Sequence, residues 1–139
     1  MMTSAPTNFE TVFSTGEKLD FIARAWEAHY FIRVFFVGTS DPRINAARVA
    51  DRVMQGGHTV PIEKIVSRYS KSLANLMPAI RLADRVYIYD NSVQDIDARL
   101  CARTIDGQLR KVYGPLPEWI ASVINPLPHH ADFVDLRVG

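Results

Sequence analysis

Arg48, Arg52, Gly56, Gly57, His58, Lys64, Arg68 and Tyr69 form the densest polar constellation in the chain. Arg48 and Arg52 stand four residues apart, so on a helix they share one face, and Lys64 and Arg68 repeat that spacing further on. The Gly-Gly pair between them gives the backbone freedom to hinge or to approach a ligand closely. Two pairs of cations converging across a flexible turn suit an anion such as a polyphosphate. Arginine is the apt residue, because its planar fork meets phosphate oxygens two at a time. A plainer alternative stands beside this one: Gly56 caps a helix, and the cations form a solvated face paired with Asp51 and Glu63.

The elements that must hold these residues can be read from periodicity and turn chemistry. Phe9–Phe13 is rich enough in aromatic and β-branched residues for a short strand. Ser14 and Glu17 have the spacing of a capping box and open a helix to about His29, with Leu19, Ile22, Ala23 and Trp26 on one face. Phe31–Val37 is almost continuously apolar, which predicts a strand covered on both sides, as in a parallel sheet. Ser40-Asp41-Pro42 starts a helix running to about Gln55, with Ile44, Ala47, Ala50, Val53 and Met54 as its buried stripe. Pro61 opens the next helix, whose inward face carries Ile65, Tyr69, Leu73 and Leu76; Pro78 bends or breaks it, and Ala79–Asp84 completes it.

Val86–Tyr89 predicts a second short strand, stopped by Asp90-Asn91-Ser92. Arg99–Ile105, Asp106-Gly107 and Gln108–Tyr113 predict a hairpin, since Asp-Gly supplies the positive φ angles of a tight turn. A short helix around Pro117–Ile124, with Trp119 packed on the hairpin, and an extended tail finish the chain. The alternation of helix and strand makes the class α/β: a parallel sheet flanked by helices, with a C-terminal β-hairpin. Residues 1–92 form the main α/β region, and 93–139 pack on the same domain.

With 139 residues, 47% hydrophobic and 22% charged, the chain has one domain's worth of sequence and an ordinary core. A net charge of +1 gives no general electrostatic claim on nucleic acid or on a membrane surface. No apolar run approaches a bilayer span, and the start lacks the pattern of a signal peptide. The single cysteine, Cys101, reads as a small core residue in a reducing compartment. A cytoplasmic protein is the expectation, with no membrane and no nucleic-acid partner. His129-His130 with Asp132 and Asp135 lacks the ligand pattern of a metal site, so no metal is assigned to them.

The block Gly56-Gly57-His58-Thr59-Val60-Pro61, followed by Arg68-Tyr69, Leu82-Ala83-Asp84-Arg85 and Tyr89-Asp90-Asn91-Ser92, strongly resembles the zeta toxin-like family of P-loop kinases. The branch is the one described as predicted ABC-type ATPases. Phe9-Glu10-Thr11-Val12 and Phe36-Val37-Gly38-Thr39 fall where that family has comparable segments, so the resemblance spans Asn8 to Ser92. It implies a P-loop-kinase-like sheet, ATP and Mg²⁺ as nucleotide and metal, and a lid carrying His58 and Arg68. Arg68 would stabilise charge on the transferred phosphoryl group, Arg52 and Tyr69 would support the lid, and Gly56 and Gly57 would belong to the nucleotide site. Glu10 and Thr11 would lie at the carboxyl end of a strand, near the phosphoryl acceptor. In well-known members that acceptor is a UDP-linked amino sugar, whose phosphorylation blocks cell-wall synthesis, the action of a toxin. Asp90 and Asn91 are assigned to turn structure.

The departure from the family pattern is as informative as the match. No Gly-x-x-x-x-Gly-Lys-[Ser/Thr] occurs in the 139 residues. That loop's amides and lysine position the β and γ phosphates, and its hydroxyl holds Mg²⁺. Without it, the chain alone is expected to have no kinase activity and to act through nucleotide or anion binding or through protein partners. The alternative is a fragment or split subunit of an ATP-dependent small-molecule kinase. The family's P-loop strand would lie between the strand at Phe9–Phe13 and the strand at Phe31–Val37. Its absence predicts that these two strands pair with each other or with another chain, as a homodimer or with a partner subunit completing the sheet.

Overall fold

The computed structural model of the chain describes residues 8–12 and 16–137, with side chains from Asp20 onward. Ten elements follow one another: β1 (Asn8–Val12), α1 (Gly16–Glu27), β2 (Phe31–Gly38), α2 (Pro42–Met54), α3 (Ile62–Leu82), β3 (Arg85–Asp90), β4 (Arg99–Ile105), β5 (Gln108–Val112), α4 (Glu118–Ile124) and β6 (His129–Asp135). The strands make one six-stranded mixed sheet in sequence order. β1, β2 and β3 run parallel, β3–β4 and β4–β5 antiparallel, and β6 parallel to β5. The α/β class, the parallel pairs and the C-terminal hairpin of the sequence reading are all present.

β1 pairs directly with β2, with Glu10 opposite Arg33 and Thr11 opposite Val34. Of the two outcomes expected for strands lacking a central neighbour, the chain adopts the one in which they pair with each other. Their facing edges therefore need no second chain. The Asp106-Gly107 turn has φ angles of 52° and 77°, as the hairpin required.

The core lies beneath a single helical layer. Ile22 and Ala25 of α1, Leu76, Ala79 and Ile80 of α3, and Trp119, Ile120 and Ile124 of α4 pack on Ile32, Val34 and Phe36 of β2 and on Val86 and Ile88 of β3. Cys101 and Ala102 of β4 and Leu109 and Val112 of β5 continue the same core, so residues beyond 92 belong to it. Burial pushes the Cys101 thiol up from its ordinary value.

Several sequence expectations are corrected. The strand at Phe31–Val37 is not covered on both sides: its residues alternate between buried and half-buried, because the helices pack on one face. No residue of α2 is buried, and Ala47, Ala50 and Met54 are exposed, since this helix packs chiefly on α3 rather than on the sheet. Trp26 is 57% exposed, so the inward face of α1 carries Ile22 and Ala25 instead. α3 runs through Pro78 without the break that is one of the two outcomes expected there, while the tail is extended as expected and joins the sheet as β6. Trp119 shares its core cluster with the hairpin residues Cys101, Ala102, Leu109 and Val112, and it also packs on the end of β2, with its ring 5.9 Å from that of Phe36. Phe13, Ser14 and the side chain of Glu17 lie outside the described residues, and with them the proposed capping box.

No helix among the described residues is long and apolar enough to cross a membrane.

Candidate functional site

Where β2 ends, the chain turns into α2 across a polar corner. Asp41 is the N-cap of α2, and its carboxylate accepts from the Arg43 backbone N–H at 2.8 Å, as the Ser-Asp-Pro pattern predicted. The Arg43 guanidinium donates to the same carboxylate, which holds Asp41 below its usual range. Thr39 is buried, and its hydroxyl donates to Oδ1 of Asn45 on the first turn of α2. The corner is fastened to the end of β3 from below. Asn91 N–H donates to the Gly38 carbonyl at 2.8 Å, and Ser40 N–H donates to Ser92 Oγ at 2.9 Å. Ser92 Oγ in turn donates to Asp90 Oδ1 at 2.6 Å, an oxygen that also accepts from Trp119 Nε1 at 2.9 Å. Asp90 is the last residue of β3 rather than part of the turn expected there, and with Asn91 it fastens the corner to the end of that strand.

Above this corner, α2 and α3 enclose a cleft of about 770 Å³. Its floor is Phe36–Thr39, and its walls carry Arg48 and Arg52 from α2 and Arg68 and Tyr69 from α3. Arg48 Nε donates to Gln94 Oε1 at 3.1 Å, which ties the cation to the loop after β3. Arg52 and Arg68 are exposed and enter no ion pair among the described residues, so the pairing of the cations with Asp51 and Glu63 is not seen. Tyr69 is half-buried, and its hydroxyl donates to the Thr39 carbonyl at 2.9 Å. Burial, then the Asp41 and Asp90 carboxylates, raise its pKa.

The cleft also has an apolar side, made by Val37, Val49, Val60, Ile65 and Leu73. A volume of this size is in the range of small-molecule sites, which pair apolar walls with a few convergent polar groups. The donors suit an anion. For a metal the set is sparse: Asp51 is the one carboxylate of the lining, and the described residues hold no cluster of three or more His, Cys, Asp or Glu.

The structure brings together Arg52, Arg68 and Tyr69 of the expected site, with Arg48, and leaves the rest outside. Gly56 and Gly57 end α2. Gly56 has φ 93°, its N–H donates to Val53 O at 3.0 Å, and Gly57 N–H donates to Arg52 O at 2.7 Å, the paired bonds of a Schellman cap. The capping alternative therefore accounts for both glycines. His58 and Lys64 are exposed and do not line the cleft. Glu10 and Thr11 stand beside Arg33 and Val34, well before the end of β2 where the cleft lies. Asn45, Ser72 and Gln94 line the cleft but escaped the sequence reading. Asn45 and Ser72 lay one turn from predicted site residues (Arg48 and Arg68 or Tyr69), whereas Gln94 arrives through a loop with no local signal.

No family model matches the chain, and no curated protein or solved structure was found to be similar to it.

Proposed function

We propose that the cleft between α2 and α3 binds a phosphate-rich anion, of which a nucleoside polyphosphate is the best example, and that this chain by itself does not transfer the phosphoryl group. The convergence of Arg48, Arg52 and Arg68 with Tyr69 on one amphipathic cleft carries the reading. Guanidinium groups would take the phosphates, and the Val37–Val49–Leu73 side would take an apolar or aromatic moiety. The resemblance to zeta toxin-like kinases supports the same ligand, since Arg52, Arg68 and Tyr69 are among the positions carried over from it. Transfer would demand positioning of the β and γ phosphates by a glycine-rich loop and lysine, and the 139 residues contain no such motif.

Calorimetry with ATP, with and without Mg²⁺, tests this. Binding in the micromolar to submillimolar range is expected, with no hydrolysis. Arg68→Ala should weaken it by ~10-fold or more, as for loss of one charge-assisted hydrogen bond worth about 1.5–3 kcal/mol. Absence of binding at millimolar ATP would overturn the proposal, as would binding indifferent to Arg68→Ala.

A second reading makes the chain one subunit of an ATP-dependent small-molecule kinase whose phosphate loop comes from another polypeptide. The observation favouring it is a cleft lined by Arg48, Arg52 and Arg68 in a sequence that carries no Gly-x-x-x-x-Gly-Lys-[Ser/Thr] motif. Phosphotransfer that appears only when a P-loop-bearing polypeptide is added would distinguish it.

A further inference from the structure

One face of the sheet has no second layer among the described residues. β1, β2 and β3 run parallel, and parallel strands are ordinarily buried on both faces. Here the alternation of burial along β2 and β3 turns Ile32, Val34, Phe36, Val86 and Ile88 under the helices and leaves their neighbours half-buried on the far side. Those neighbours are of two kinds. Phe31, Phe35, Tyr87 and Tyr89 make an aromatic strip, and Arg85, Arg103 and Lys111 make a cationic flank. The register places Phe35, Tyr87, Arg103 and Lys111 side by side across four strands.

We propose that this face seats an acidic amphipathic helix of a partner polypeptide. Its charge is the first argument. Arg85, Arg103 and Lys111 enter no ion pair among the described residues, and Arg103 Nε is buried without a hydrogen-bond acceptor. A buried guanidinium donor without an acceptor is costly, and a carboxylate arriving over the strip would satisfy it. Glu10, the register neighbour of Arg33, stands at the opposite margin of the sheet, on β1.

The ring geometry is the second argument. Phe35 and Tyr87 stack on each other at 5.0 Å with an interplanar angle of 14°, and Tyr89 lies 6.4 Å from Phe35. Guanidinium groups of Arg33 and Arg85 cover the Phe31 ring at 5.9 and 5.5 Å. Phe35 and Tyr87 thus spend a face on each other and the Phe31 ring is spent on cations, which leaves less ring surface for the bases of a single-stranded nucleic acid to stack on. A second copy laid face to face would oppose like charges. An apolar stripe flanked by carboxylates meets neither objection, and a helix on a sheet is the ordinary second layer of α/β proteins.

The test uses two synthetic 18-residue helical peptides with the same leucine stripe, one flanked by glutamate and one by lysine, and fluorescence polarisation on the full chain. The glutamate peptide should bind and the lysine peptide should not. Arg85→Glu with Arg103→Glu should weaken the glutamate peptide at least tenfold and let the lysine peptide bind. Should that double variant fail to fold, Lys111→Glu, whose ammonium lies over the Tyr113 ring at 5.0 Å, decides the matter with an expected several-fold loss. Equal binding of both peptides, no binding, or indifference to charge reversal would overturn the proposal. So would a 15-residue oligothymidylate that binds in place of the peptide and is lost on Phe35→Ala, or self-association of the chain abolished by Arg103→Glu.

Discussion

The Tyr69 hydroxyl donates a 2.9 Å hydrogen bond to the carbonyl of Thr39, joining the middle of α3 to the turn where β2 gives way to α2. The bond sets the width of the cleft, because Thr39 belongs to its floor and Tyr69 to its wall. Tyr69 is half-buried, and phenylalanine at this position would keep the ring but lack the hydroxyl that reaches the carbonyl.

Tyr69→Phe should therefore keep the packing and lose the bond, lowering stability by about 1 kcal/mol. The loss has a defined pH dependence. Burial and the neighbouring Asp41 and Asp90 carboxylates raise the folded pKa of Tyr69 above the ordinary phenol value of 10.0. The fold thus favours the neutral phenol. Its contribution is fully present below the unfolded pKa and is lost as pH rises from there through the folded pKa. Denaturant melts of both proteins should show the gap between them shrinking above about pH 10. A gap that stays constant into strong alkali would contradict this.

Gly38→Ala should damage the same corner by overpacking. A Cβ at position 38 would lie 2.7 Å from Trp119 Cη2 and 3.1 Å from Phe36 Cε1, both parts of rigid rings in the core. Neither ring can retreat without moving α4 or β2, so a loss of about 1–3 kcal/mol is expected. Tryptophan emission is the direct readout, since Trp119 is buried whereas Trp26 is 57% exposed. An unshifted emission and melting curve would show that Trp119 can move aside.

Thr104→Val should stabilise the chain. Thr104 is fully buried on β4, and its hydroxyl is without a hydrogen-bond partner. A valine fills nearly the same volume, favours a strand, and removes a buried polar group, a gain of about 1–2 kcal/mol. A midpoint that falls in urea would mean that the hydroxyl is satisfied in solution.

Local chemistry determined much of this protein in the sequence itself. Asp-Gly demanded the hairpin turn at 106–107, Ser-Asp-Pro demanded the start of α2, and the apolar run at Phe31–Val37 demanded a strand, because each signal lies within a few residues of its consequence. The four-residue spacing of Arg48 and Arg52 likewise put their shared face within reach of inference, as the sequence of α3 did for Tyr69.

Tertiary structure decided the rest. Whether the Gly-Gly pair serves a ligand or ends a helix depends on which carbonyls accept its N–H groups, and those belong to Arg52 and Val53. Lys64 falls outside the cleft, since cation spacing reports a helix face and not what lies opposite it. The direct pairing of β1 with β2, the open aromatic face and the joining of the tail as β6 all depend on contacts between strands. Hydrophobicity along one strand reveals that it is buried, but not how many layers bury it or which neighbour shares its hydrogen bonds.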